Sequence, residues 1–240
     1  MFVSISAYKF ANLGELTPLR TRFKKRCDAL ALRGTILLSP EGINVFVSGT
    51  KDATALLLAD LRELPALRDL EARISPAQEQ AFDHMFVKIK KEIIAFGVPG
   101  IDPVLHPSRR LCAATLKQWL DEGRAITLLD TRNGFEVDLG TFKNALATRT
   151  SHFRDFPAAV AQLPAALKEQ TVVTFCTGGI RCEKAAPYLE QVGFTDVWQL
   201  DGGILKYFAT YGGAHYEGQC FVFDKRETLN GESALDTDEG

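Results

Sequence analysis

Long apolar runs are missing from this chain. No stretch approaches the ~18 consecutive apolar residues of a membrane span, so none is expected. The first fifteen residues, MFVSISAYKFANLGE, lack a basic segment followed by an apolar core; no secretory signal is read there, and the expected compartment is the cytoplasm. Charge of one sign is not in excess either. The 28 Lys+Arg and 30 Asp+Glu leave a net −2, which argues against a generic nucleic-acid binder. Cysteine is sparse, odd in number and dispersed (Cys27, Cys112, Cys176, Cys182, Cys220). That pattern excludes a disulfide framework and a CxxC zinc knuckle, and fits a reducing compartment. His84, His106, His152 and His215 stand singly, so no metal-ligand set is read. Flavin, haem and non-haem-iron signatures are absent; the sequence identifies no cofactor and no electron donor.

What is present is ordinary globular composition, 46% apolar and 24% charged over 240 residues, enough for one large or two modest domains. Charge is uneven: residues 1–100 carry 14 basic against 11 acidic side chains, whereas the last fourteen, ETLNGESALDTDEG, hold five acids and no base. That end reads as a solvated acidic tail.

Periodicity divides the chain. FVSISAYKF reads as a strand, and Leu16, Leu19, Phe23, Cys27 and Leu30 recur at helical spacing, with Cys27 on the apolar stripe. GTILLS and VFVSG follow as strands, with PEGIN between them read as a turn too long for a simple hairpin loop. Thr50 reads as the cap of a helix over 51–64, and a strand is placed near 70–75. The order β-α-β-β-α-β is the ferredoxin-like split unit. FVKIKKEIIAF reads as one or two strands with Lys88 and Lys90 on a solvent face, and GVPGIDPVLHP as a linker. Beyond residue 113, AITLLD, TVVTFC and DVWQL alternate with helical segments, which predicts a parallel α/β sheet. Pro187 leaves the helix after Cys182 either kinked or starting late. The domains read as 1–96, a linker at 97–112, a catalytic domain at 113–218 and an extension at 219–240.

The chemistry concentrates at Cys176. Five strand-forming residues run into it, and Thr177, Gly178, Gly179, Ile180 and Arg181 lead on to a helix start. Small residues let successive backbone N–H groups converge into an anion nest, and a helix N-terminus adds to the same field. A thiol there ionises well below its free pKa of ~8.5. Four residues separate Cys176 from Arg181, one fewer than in a tyrosine-phosphatase loop. The smaller ring suits a terminal sulfur better than a phosphoryl group, so Cys176 reads as a persulfide carrier. Cys182, at the helix start, reads as a packing residue or as a resolving partner of Cys176. Asp130 and Arg132, at a neighbouring strand end, read as an ion pair or a brace for the loop. Arg22, Lys24 and Lys25 on the first helix, with Lys88 and Lys90, are candidate phosphate contacts or a solvated face.

LLDTRNGFEVDLGTFKNA, VVTFCTGGIRCEKAAPYL and WQLDGGILKYF together resemble a rhodanese domain. More narrowly, CTGGIRCEKA with DTRN, EGIN, KIKKEI and CFVFDKR resembles the bacterial tRNA uridine(34) hydroxylase family, over about residues 5–226. The resemblance implies a ferredoxin-like α+β domain followed by a rhodanese-like parallel α/β domain. It implies oxygen-dependent conversion of the wobble uridine to 5-hydroxyuridine, with dioxygen as co-substrate and the tRNA anticodon loop as partner. It also places the persulfide-forming cysteine at Cys176, which brings in a sulfur donor. The alternative activity is sulfur transfer from Cys176 to a small acceptor.

Overall fold

The computed structural model describes residues 1–222 and 228–229. Most of the acidic tail and the CFVFDKR motif beyond Val222 lie outside the described residues. Two compact units are present, dividing after Ala95. Among the described residues no helix is long and apolar enough to cross a membrane.

The first unit runs β1 (Phe2–Phe10), α1 (Leu16–Ala29), β2 (Arg33–Ser39), β3 (Gly42–Thr50), α2 (Lys51–Arg62), β4 (Ala72–Ala77) and β5 (Met85–Ile89). Strand order is β4-β1-β3-β2-β5, the ferredoxin-like arrangement with β5 added parallel to β2. Ile5, Ile36, Leu38, Val45 and Val47 alternate onto one sheet face and bury against Phe23 and Cys27 of α1 and Leu57 and Leu61 of α2. Thr50 caps α2, its hydroxyl accepting from Ala53 N at 3.2 Å.

The PEGIN expectation is corrected. Ser39 pairs with Gly42, so Pro40-Glu41 is a two-residue turn and Gly42-Ile43-Asn44 already belong to β3. Gly42 makes this possible: its φ is +149°, and a Cβ there would lie 2.1 Å from the Lys9 carbonyl oxygen on β1. A bare backbone lets β3 begin at once beside its neighbour.

The second unit contains β6 (Arg109–Leu111), α3 (Ala113–Asp121), β7 (Thr127–Asp130), α4 (Gly134–Leu139), β8 (Gly140–Phe142), β9 (Leu146–Ala147), α5 (Phe156–Val160), β10 (Thr171–Phe175), α6 (Cys182–Gln191), β11 (Asp196–Leu200), α7 (Gly203–Tyr211), β12 (Tyr216–Gly218), β13 (Cys220–Phe221) and β14 (Thr228–Leu229). Its main sheet, β6-β11-β10-β7-β9, is parallel throughout. Arg109–Leu111, at the end of the segment read as a linker, pairs with Trp198–Leu200 because Leu111 joins the core beside Leu116 and Leu200. Val173 and Phe175 pack with residues of α3 and α7, while α6 lies against β10 and β11. Pro187 sits inside α6, which starts at Cys182 without delay. The missing N–H removes one bond near the helix start, where Ala185 N still reaches Arg181 O at 2.9 Å.

Candidate active site

β10 ends at Phe175, and the chain turns through Cys176–Arg181 into α6. Three observations fix the turn. Gly179 adopts φ +97°, Cys182 N donates to Gly179 O at 2.9 Å, and Gly179 N donates to Cys176 Sγ at 3.1 Å. The sulfur is therefore drawn into a backbone nest at the carboxyl end of a central strand, where open α/β sheets place their ligands. Cys176 is fully buried.

The opposite side of the loop is held by α7. Ile204 N donates to Cys176 O at 3.0 Å and Leu205 N to Thr177 O at 3.1 Å. These two bonds use donors that the first turn of a helix leaves free. They require the backbone of Gly203 to lie against the loop: at φ +66°, a Cβ on Gly203 would meet Cys176 O at 2.4 Å and Thr177 O at 2.7 Å. Gly178 is the contrast, since a Cβ there meets no atom within 4 Å.

Arg181 is buried. It forms a buried fork with Glu136 of α4, Nη1 to Oε2 at 2.5 Å and Nη2 to Oε1 at 2.7 Å. Glu136 also accepts from Thr177 Oγ1 at 3.2 Å and from Asn133 N at 3.1 Å. Burial works against ionised Glu136, but the Arg181 guanidinium outweighs it and holds the carboxyl below its ordinary range. One carboxylate thus anchors both ends of the loop.

Electrostatics at Cys176 favour the thiolate. Burial opposes it; the Cys182 side chain, the Arg181 charge and the backbone N–H groups of Arg181 and Gly179 together bring the pKa down from 9.0 to about 6. Cys182 goes the other way: burial, and then the neighbouring Cys176, push its thiol well above 9.0. Cys182 is therefore the proton holder of the pair, with Thr131 Oγ1 at 3.7 Å from its sulfur.

Asp130 and Arg132 make a fully buried ion pair, Nη2 to Oδ2 at 2.6 Å. Arg132 also donates to Gly140 O at 2.6 Å, and Thr141 Oγ1 donates to Asp130 at 2.8 Å. The pair fixes β7 to the α4–β8 junction and so positions Glu136. Cys220 is buried, and burial pushes its thiol up to about 12. Cys27 is likewise a core thiol at about 12, through burial.

Glu136 does not stand out in the sequence; Thr131 and Gly203 lie in the DTRN and LDGG motifs, but nothing there shows that they meet Cys182 and the Cys176 loop. A glutamate three residues beyond Asn133 gives the Asn-x-x-Glu capping-box pattern that α4 adopts, and this is the available signal. Of the five candidate phosphate contacts, all in the first unit, Arg22 is tied to Glu63 and Lys24 to Asp28, while Lys25, Lys88 and Lys90 are exposed.

Both units match known families. Residues 2–93 match the UPF0176 acylphosphatase like domain, and residues 113–210 match the rhodanese-like domain. The tRNA uridine(34) hydroxylase of Paraburkholderia xenovorans is 48% identical over 237 residues, covering 95% of this chain and 83% of the relative. That of Bordetella avium is 48% identical over 233 residues, covering 95% and 96%. Among solved structures, the crystal structure of the Alr3790 protein from Anabaena sp. is 27% identical and covers 45% of this chain and 91% of that one, at a TM-score of 0.38.

Proposed function

The chain belongs to the tRNA uridine(34) hydroxylase family, and we propose that it hydroxylates uridine 34 of tRNA to 5-hydroxyuridine at Cys176, with dioxygen as co-substrate. The observation that carries the assignment to this residue is the sulfur itself: bonded by Gly179 N at 3.1 Å and ionised from about pH 6.

The chemistry of the base explains why such a sulfur is useful. Uridine is electron-poor at C6 and carries its hydroxyl at C5 after the reaction. A sulfur anion adds to C6, and the electron pair of the C5–C6 double bond passes to C5. That carbon then attacks one oxygen of a peroxide formed when an external thiol donor reduces dioxygen by two electrons and is itself oxidised to a disulfide; the O–O bond breaks and the second oxygen leaves as hydroxide. Loss of the C5 proton and expulsion of sulfur from C6 restore the ring. A persulfide on Cys176, loaded by a sulfur donor, extends the nucleophile by one atom from its buried position. Two residues on, a Cβ at Gly178 would meet no atom within 4 Å, so the loop has open space at that point. Access to a ring requires an unstacked base, which an anticodon loop supplies at low cost. Lys25, Lys88 and Lys90, with Arg22 and Lys24 in lesser roles, are assigned to tRNA phosphates.

The test is nucleoside analysis of tRNA from cells lacking the protein and complemented with wild type or Cys176→Ser. The variant is expected to restore no 5-hydroxyuridine; normal levels would sink the assignment. The four-residue spacing from Cys176 to Arg181 also favours a second reading, transfer of sulfane sulfur to a small acceptor. A thiosulfate–cyanide assay run on the same protein separates the two.

A further inference from the structure

The basic residues of α1 divide by helical face. Arg22 and Arg26 point to α2 and are consumed there by Glu63 and Asp60. Arg20, Thr21, Lys24, Lys25 and Asp28, at i, i+1, i+4, i+5 and i+8, share another face. They form one wall of a groove of about 570 Å³, whose other wall is Met85, Phe86 and Val87 of β5. That volume falls in the range of clefts that seat ligand-sized groups.

Three features of the groove call for a polyanion carrying flat apolar groups. First, its charge is positive. Asp28 is the only acid in the lining, and both its oxygens are held by Lys24 Nζ at 2.6 Å. Arg20 and Lys25 make no salt bridge with any described residue. Second, at the β5 rim of the groove, on the sheet face opposite Met85 and Val87, which pack toward α1, Phe86 is 45% exposed with Lys88 Nζ 4.4 Å from its ring centroid. Third, among the described residues β5 is the last strand of its sheet. Gly34 N bonds His84 O and Lys90 N bonds Leu38 O, so the even residues of β5 face β2, and the N–H and C=O groups of Met85 and Val87 turn outward.

We propose that this groove binds a single-stranded RNA segment of the substrate tRNA. Its phosphates lie along Arg20 and Lys25 in the groove, and the strand crosses the β5 edge so that one base stacks on Phe86 beside Lys88. The inference rests on the hydroxylase reading for the identity of the RNA and adds a binding site in the first unit, separate in the chain from Cys176. Single strands suit it because only unpaired bases present a free face to an aromatic ring.

The experiment uses the full chain. Equilibrium binding of purified tRNA is measured against salt for wild type, Phe86→Ala, Lys25→Glu and Cys176→Ser. Phe86→Ala is expected to weaken binding about tenfold. Lys25→Glu is expected to weaken it and to lower the slope of log K on log salt by about 0.7 for each phosphate it no longer neutralises. In both, the loss in kcat/KM is carried by KM. Phe86→Trp gives a direct readout, since its added fluorescence is quenched on titration with a uridine-rich oligonucleotide when a base stacks. Wild-type affinity and slope in both Phe86→Ala and Lys25→Glu, or no quenching in Phe86→Trp, overturns the site. Cys176→Ser keeps the two questions apart: it is expected to bind tRNA normally and hydroxylate nothing. Hydroxylation persisting in it would overturn the catalytic reading and leave the groove standing.

Discussion

Glu136 holds Arg181 by both oxygens, at 2.5 and 2.7 Å, with neither side chain more than 6% exposed. Such a pair is costly to break from one side because the survivor stays buried and charged. Glu136→Ala is expected to destabilise the second unit by about 3–5 kcal/mol. Glu136→Ala/Arg181→Met, which removes both charges, recovers most of that in calorimetry. It does not recover hydroxylation, because the loop has lost the charge that favours the Cys176 thiolate. Full activity in the double variant would show that hydroxylation needs neither the Arg181 charge nor its pairing with Glu136.

The Cys176 loop was legible because its chemistry is local: strand, cysteine, glycines and arginine are contiguous, and their spacing sets the size of the nest. The parallel sheet was legible for the same reason, in runs such as TVVTF and DVWQL. What the sequence did not display depends on close approach between distant segments. Gly203 matters because its backbone touches Cys176 and Thr177, some twenty-five residues earlier, and Glu136 because α4 carries it under a loop forty-five residues later. The PEGIN turn departs from its sequence pattern on the same account, since Gly42 answers to Lys9 on β1 and not to its sequence neighbours. Arg22 and Lys25 look alike in a basic run; only the packing of α2 shows that the first is occupied by Glu63.

Ionisation of Cys176 sets a pH profile. The fold depresses the thiol from 9.0 to about 6, so hydroxylation kcat/KM is expected to be flat above pH 6 and to fall below it. The linked stability has the same sign: it is complete above the unfolded value of 9.0 and is lost as pH drops through about 6. Apart from burial, which opposes ionisation, Cys182 has the largest influence on this shift. Cys182→Ala should therefore move the midpoint up by about 1 unit, measured by carbon NMR of labelled cysteine. A midpoint that stays near 6 would mean that Arg181 and the backbone N–H groups suffice.

Gly42→Ala tests the hairpin correction. The substitution places a methyl 2.1 Å from Lys9 O and 3.0 Å from Phe10 Cα, both backbone atoms in a three-strand register that cannot give locally. A loss of about 3 kcal/mol or more in denaturant unfolding is expected. A loss under about 0.5 kcal/mol would mean that β3 starts later than Gly42 in solution.

Gly203 and Gly178 flank the same loop and should respond oppositely to alanine. At Gly203 the added methyl strikes the carbonyls of Cys176 and Thr177 at 2.4 and 2.7 Å, on a backbone at φ +66°. The only relief is for α7 to retreat, which breaks the Ile204 and Leu205 N–H bonds that hold the loop closed. Hydroxylation should fall at least about a hundredfold, as expected when a reacting group is displaced by about 1 Å. At Gly178 the methyl meets open space and an ordinary φ, so the fold and the Cys176 titration stay as in wild type. Any activity loss in Gly178→Ala then reports on substrate approach to the loop, since the methyl meets no atom of the fold within 4 Å.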